Sequence, residues 1–300
     1  MKYLDDGHVV YAMSRDNQPA LTVAPGETVR VKTKDCYANQ LRSPADRREK
    51  VDWTRINPAT GPIAVTGAAP GDTLAIDILA IRVAEQGVMT ASPGESGISR
   101  LFSETRTKII PLATGKAHFS DRLTLPLAPM IGVIGTAPAG KAVPTGTPGP
   151  HGGNMDCKEI TAGTRLYLPV AVPGALLALG DLHARMGDGE VVGVGIETAG
   201  EVDLAIDLLP GQTVEMPLLD NGKAWMVVAS ARTLDEAAAT AADYLTRLLT
   251  KSDRLSREEA GMLLSIAGDL RICQIVDPLM TVRFEIPKEI LAQYDISLIG

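Results

Sequence analysis

Thr73-Leu-Ala-Ile-Asp-Ile-Leu-Ala-Ile-Arg82 is the stretch that decides the fold. Apolar residues recur at every second position, the period at which a β-strand turns one face to a core. Thr28-Val-Arg-Val-Lys-Thr33 and Glu201-Val-Asp-Leu-Ala-Ile-Asp-Leu208 carry the same alternation. Between such segments the dipeptide Pro-Gly recurs, at Pro25, Pro70, Pro93, Pro148, Pro173 and Pro210. Proline presets the first central residue of a tight turn, and glycine accepts the positive φ of the second. Strands joined by short turns, with no helix between them, predict a mainly β chain, an antiparallel sandwich or jelly-roll-like domain.

The pattern changes near Arg232. Leu234 to Lys251 is rich in Ala and Leu, lacks Gly and Pro, and opens Thr233-Leu-Asp-Glu236, a capping box. Ser256-Arg-Glu-Glu259 opens a second helix, and strands are expected at 271–276 and 281–286. The expected organisation is a sandwich-like domain over 1–231, which carries the active site, and a smaller α+β portion over 232–300 packed on it. Residues 91–102 and 137–153 read as loops, and the length of the second marks it as functional.

Composition narrows the function. The chain has 300 residues, 45% hydrophobic and 22% charged, with a formal net charge of -7. It has no basic block, so neither nucleic acid nor an anionic membrane surface is an expected partner. No segment reads as a signal peptide or a membrane span. Cys36, Cys157 and Cys273 are odd in number and far apart, which fits reduced thiols in a cytoplasmic setting. Alternating strands leave edges to cover, and a homo-oligomer, dimer or higher, is expected.

The chemistry concentrates in two Gly-rich clusters. Gly180-Asp-Leu-His-Ala-Arg-Met-Gly-Asp-Gly-Glu190 brings together Asp181, His183, Asp188 and Glu190. His151-Gly-Gly-Asn-Met-Asp156 lies just upstream. Imidazole beside carboxylates suits a divalent metal that activates water. Simpler readings exist for each residue alone: the histidines as surface loop residues, Asp188-Gly189 as a hairpin turn. Residues 160–178 read as a hairpin turning at Pro173-Gly174, and its closure would bring Asp156 beside Asp181.

The sequence resembles the acetamidase/formamidase family, and the shorter, acetamidase-like branch more closely. The matching residues are Asn57-Pro-Ala-Thr-Gly-Pro-Ile63, Gly67-Ala-Ala-Pro-Gly-Asp72, His151-Gly-Gly-Asn-Met-Asp156, Gly180-Asp-Leu-His183, Gly187-Asp-Gly-Glu190, Ile196-Glu-Thr-Ala-Gly200 and Gln274-Ile-Val-Asp-Pro278. Arg185 and Met186 depart from the family pattern, which bears on pocket shape. The resemblance implies a mainly β fold, a small amide substrate, and hydrolysis of formamide or acetamide type to carboxylate and ammonia through a metal-activated water. It implies Asp181, His183 and Asp156 as ligands, with Glu190 as a further ligand or the general base. Glu197 is the second candidate base, Asn154 the donor to the amide or oxyanion, and His151 a ligand or proton shuttle. Zinc is the first choice of metal, with calcium, magnesium or manganese as alternatives. Two other readings stay open: a metal-independent amidase with Cys157 as nucleophile, and a non-catalytic calcium- or carbohydrate-binding sandwich built on Asp181, Asp188 and Glu190.

Overall fold

The computed structural model describes residues 1–94 and 96–299. Glu95, inside the expected 91–102 loop, lies outside the described residues. The alternating segments are strands, observed as Thr73–Val83, Glu27–Thr33 and Gly200–Leu209. These are neighbours in a nine-stranded sheet, with Gly200–Leu209 antiparallel to both others. A second sheet runs through Gln86–Ala91, Glu197–Thr198, Leu177–His183, Met130–Gly135 and Gly152–Asn154. Among the described strands pairing is antiparallel except where Lys2–Leu4 meets Glu27–Thr33 and Leu21–Val23 meets Ala59–Val65, and one isolated bridge, Gly189 to Gln274, is also parallel. The expected antiparallel sandwich is therefore the fold.

Period two decides which side chains meet. Leu74, Ile76 and Ile78 point into a core shared with Ile131, Ile134 and Leu179 of the second sheet. Ala75, on the opposite face, joins a separate core with Val227, Tyr244 and Leu248. That second core is where the helix Leu234–Thr250 covers the outer face of the first sheet. The Thr233 side chain accepts from Glu236 N, and at Ser256 both arms of a capping box form. The C-terminal strands Asp269–Gln274 and Met280–Pro287 extend the nine-stranded sheet at one end.

The turn chemistry is also visible. Gly26, Gly71, Gly174 and Gly211, each after a proline, have φ between 70° and 98°, whereas Gly94 and Gly149, at the other two Pro-Gly steps, lie outside the left-handed region. One expectation fails. Residues 160–178 do not form a hairpin, because their two strands lie in different sheets. Arg165–Pro169 pairs with Thr73–Val83 in the first sheet, and Leu177–His183 pairs with Met130–Gly135 in the second. The Pro173-Gly174 turn carries the chain across the sandwich. Period two marks a strand but not its partner, so adjacency in sequence gave the wrong neighbour.

Candidate active site

The Met130–Gly135 strand takes the place the hairpin was expected to fill. It pairs with Gly152–Asn154 on one side and Leu177–His183 on the other, which sets the two Gly-rich clusters side by side. Gly132 lies opposite Asp181. A Cβ there would stand 2.5 Å from Asp156 Oδ1 and 2.9 Å from Asp181 Oδ2. Both carboxylates thus converge over a residue with no side chain.

Local backbone aims the donors. Asp156, Asp181 and Glu190 have φ of 41°, 54° and 45°. Non-glycine residues in this left-handed region are strained, and such strain persists where surrounding structure enforces it. At Glu190 the enforcement is identifiable. Asp188 does not enter the cluster; it is bound by the buried Arg283 through two hydrogen bonds of 2.7 and 3.0 Å and by Lys158 at 2.9 Å. Gly189, with φ 98°, bonds Cys273 O and accepts from Ile275 N. The next residue, Glu190, is turned inward.

The result is a buried imidazole ringed by carboxylates. His183 Nε2 lies 3.2 Å from Glu197 Oε1, 3.5 Å from Asp181 Oδ1, 3.7 Å from Asp156 Oδ1 and 3.9 Å from Glu190 Oε1. Gly195 packs directly against the ring: a Cβ there would be 2.5 Å from Nδ1. Its N–H donates to Glu197 Oε1 at 2.7 Å. Asp156, His183 and Glu190 bring one donor atom each to within 4.8 Å of one another, and so do Cys36, Asp181 and Glu197.

Electrostatics in this cluster are severe. Burial pushes Asp156 up to about 7 and Glu197 up to about 8. Burial, and then the Asp156 carboxylate, hold Glu190 and Asp277 well above the usual carboxylate range. Burial opposes charge on His183, but Glu197 and Asp181 outweigh it and raise the imidazole well above its ordinary value. Asp181 goes the other way: burial resists its charge, yet the His183 imidazole beside it holds it low. Like charges this close cannot all ionise without a cation between them.

Whether the residues fit a divalent cation is decided by their unpaired atoms. Asp156 Oδ1, Asp181 Oδ1 and Glu197 Oε2 are buried with no hydrogen-bond partner among the described residues. Orphaned buried acceptors of this kind are rare and call for an ion or water. The donors form two neighbouring sets, oxygen and nitrogen from Asp156, His183 and Glu190, and oxygen and sulfur from Cys36, Asp181 and Glu197. They fit.

Two residues of the cluster were not singled out in the sequence. Asp277 accepts from Asn154 Nδ2 at 2.9 Å. It is delivered by a turn in which Gln274 Oε1 accepts from Val276 N and Asp277 N. Cys36 is the other, raised well above its usual range by burial and by Glu197. Asp277 was within reach as an acidic residue inside the matching Gln274–Pro278 block. Nothing local distinguishes Cys36.

Other expected site residues stand apart. His151 is buried, and burial alone lowers its pKa to about 4. Its ring packs between Gly149 and Gly153, and it joins neither donor set. Cys157 is fully buried in the core shared by the two sheets and does not line the cavity above the cluster. Asn154 has its Nδ2 engaged by Asp277 and its Oδ1 unpartnered, so it presents an acceptor where a donor was expected. Arg185 donates to Pro126 O, and neither it nor Met186 lines the cavity.

That cavity, about 370 Å³, opens over Asp156, Asp181, Glu190, Glu197 and Asp277. An antiparallel sandwich whose buried ionisable donors meet at the foot of one pocket defines a protein with a built polyacidic site between strands of a rigid sheet. The acetamidase/formamidase family model matches residues 12–145 and 139–293, and the chain belongs to that family. It is similar to an acetamidase structure from Bacillus halodurans, at 45% identity and a TM-score of 0.95, covering 98% of this chain and 100% of that one. A predicted acetamidase/formamidase from Thermoanaerobacter tengcongensis is 44% identical, with a TM-score of 0.97 and 99% of each chain covered. A formamidase from Methylophilus methylotrophus is 28% identical over 68% of this chain, which spans 65% of that protein, just under two thirds.

Proposed function

We propose that this chain hydrolyses a short primary amide to a carboxylate and ammonia, with a divalent cation, zinc by preference, held over the His183 cluster. Family membership and the acetamidase and formamidase relatives support the amide substrate. The observation that carries the reading is His183 within 3.9 Å of four carboxylates at the foot of a cavity. Asp156, Asp181, His183 and Glu197 would hold the cation, with Cys36 beside Asp181 and Glu197. A mixed nitrogen, oxygen and sulfur set favours zinc over calcium or magnesium. A cation bound there supplies an acidified water and polarises the amide carbonyl.

The chain's own residues do the rest. Glu190, pushed up by burial, is suited to take a proton from water and return it to the departing nitrogen. Asn154 Oδ1 is free to accept from the substrate N–H, and Asp277 fixes its amide. The balance is one amide and one water giving one carboxylate and one ammonium, with the C–N bond broken. A cytoplasmic setting is part of this proposal and rests on the sequence; Cys36, Cys157 and Cys273 are all buried. No helix among the described residues is long and apolar enough to cross a membrane.

Ammonia release from formamide and acetamide tests the proposal, before and after chelation and after zinc is restored. Loss on chelation with recovery on zinc is expected, and His183→Ala should lose both metal and turnover. Full activity in metal-stripped protein would overturn the metal assignment. Absence of ammonia from every short amide, with zinc bound, would overturn the substrate class.

A further inference from the structure

The cavity is larger than the proposed reaction needs. A water occupies about 10–15 Å³ of such space, and pockets of ~300–1,000 Å³ take ligands of drug size. Acetamide, with only four non-hydrogen atoms, leaves most of the 370 Å³ unfilled. The remainder has its own chemistry. Arg48 and Trp53 line it, with the Arg48 guanidinium 4.3 Å from the centre of the Trp53 ring. The ring holds the guanidinium in place without neutralising it. Arg48 Nε is shielded from solvent and has no acceptor among the described residues. Ser92 Oγ, lining the same cavity, is likewise buried and unpartnered.

Among the described residues these are two donors without acceptors, in a pocket whose other described charged residues are carboxylates. A buried donor left unpaired is destabilising, and a ligand that supplies an acceptor relieves it. A carboxylate offers two oxygens and matches a guanidinium fork. We propose that Arg48 is a specificity-determining residue and that the substrate is the monoamide of a short dicarboxylic acid. Its amide lies over the His183 cluster and its free carboxylate meets Arg48 and Ser92. This rests on the amidase reading and names its substrate class. Hydrolysis takes one water and yields the dicarboxylate and ammonium.

The test compares succinamate with 4-methylpentanamide, in which an isopropyl group replaces the carboxylate at equal length. The wild-type protein is expected to favour succinamate in kcat/KM by at least tenfold. Arg48→Gln should collapse that ratio by 10- to 100-fold, and Arg48→Lys should keep part of it. Calorimetry with succinamate gives binding independently of turnover. Equal use of the two amides, or a ratio unmoved by Arg48→Gln, overturns the proposal. If acetamide is hydrolysed while succinamate neither binds nor reacts, the proposal fails and the amidase reading stands. If no amide is hydrolysed while succinamate binds through Arg48, the pocket assignment stands and the amidase reading fails.

Discussion

Gly132→Ala is the sharpest perturbation the geometry offers, because the added methyl meets the two aspartates of the cluster and nothing nearer. Its carbon would stand 2.5 Å from Asp156 Oδ1, 2.8 Å from Asp181 O and 2.9 Å from Asp181 Oδ2. Ordinary contact begins near 3.4 Å, so the two aspartates must retreat by about half to one ångström. Metal–ligand distances tolerate only about 0.2 Å. One of the partners is backbone of the Leu177–His183 strand, so the retreat cannot be made by rotamers alone. Overpacking of this kind costs about 1–3 kcal/mol of stability, while losing the alignment of two donors should weaken zinc binding by at least ~100-fold. Competition against a colorimetric zinc chelator reads the affinity, a thermal melt reads the fold, and ammonia release reads turnover. Gly140→Ala is the control: nothing lies within 4 Å of its Cβ, and it should be neutral. A Gly132→Ala protein that binds zinc and turns over amide within twofold of wild type would refute the convergence of Asp156 and Asp181 on a shared ion.

Two further outcomes follow from residues outside the cluster. Asp188→Asn should leave zinc stoichiometry intact yet lower stability by about 2–3 kcal/mol, since it strips the ion pair from the buried Arg283; loss of bound zinc without loss of stability would instead make Asp188 a ligand. His151 carries a depressed pKa, about 4 against an ordinary 6.5, because burial disfavours its charged form. A depressed folded value means the stability is present above pH 6.5 and is lost as pH falls toward 4. It amounts to roughly 3 kcal/mol. His151→Gln should flatten the fall in denaturant midpoint between pH 6.5 and 4.5 relative to wild type, and an equally steep fall would show that His151 is not the group titrating.

Much of the fold was written locally. Thr73–Val83 and Gly200–Leu209 declare themselves by period two, and the helix from Leu234 by its Thr233 cap, because a strand's alternation and a helix's cap are properties of consecutive residues. Four of the six Pro-Gly turns were legible for the same reason. The acidic clusters around Asp156 and Asp181 were also visible, as unusual concentrations of ligand chemistry in Gly-rich sequence. What joined them was not. The sequence suggested a 160–178 hairpin; the structure uses the intervening Met130–Gly135 strand, since register and partner are set by which faces bury together across the whole sandwich.

Composition, strand period and turn chemistry along the chain therefore determined a mainly antiparallel β protein with acidic, histidine-bearing Gly-rich segments. Only the tertiary structure decided that Asp188 serves Arg283, that His151 and Cys157 stand aside, and that Cys36 and Asp277 arrive from distant segments. The physical reason is one of range. Backbone preference and amphipathic period act over a few residues, whereas this cluster gathers Cys36, Asp156, His183, Glu197 and Asp277 from distant stretches of chain into one place. That placement comes from sheet pairing and from left-handed residues such as Asp181 and Glu190, whose strain the packed surroundings hold in place.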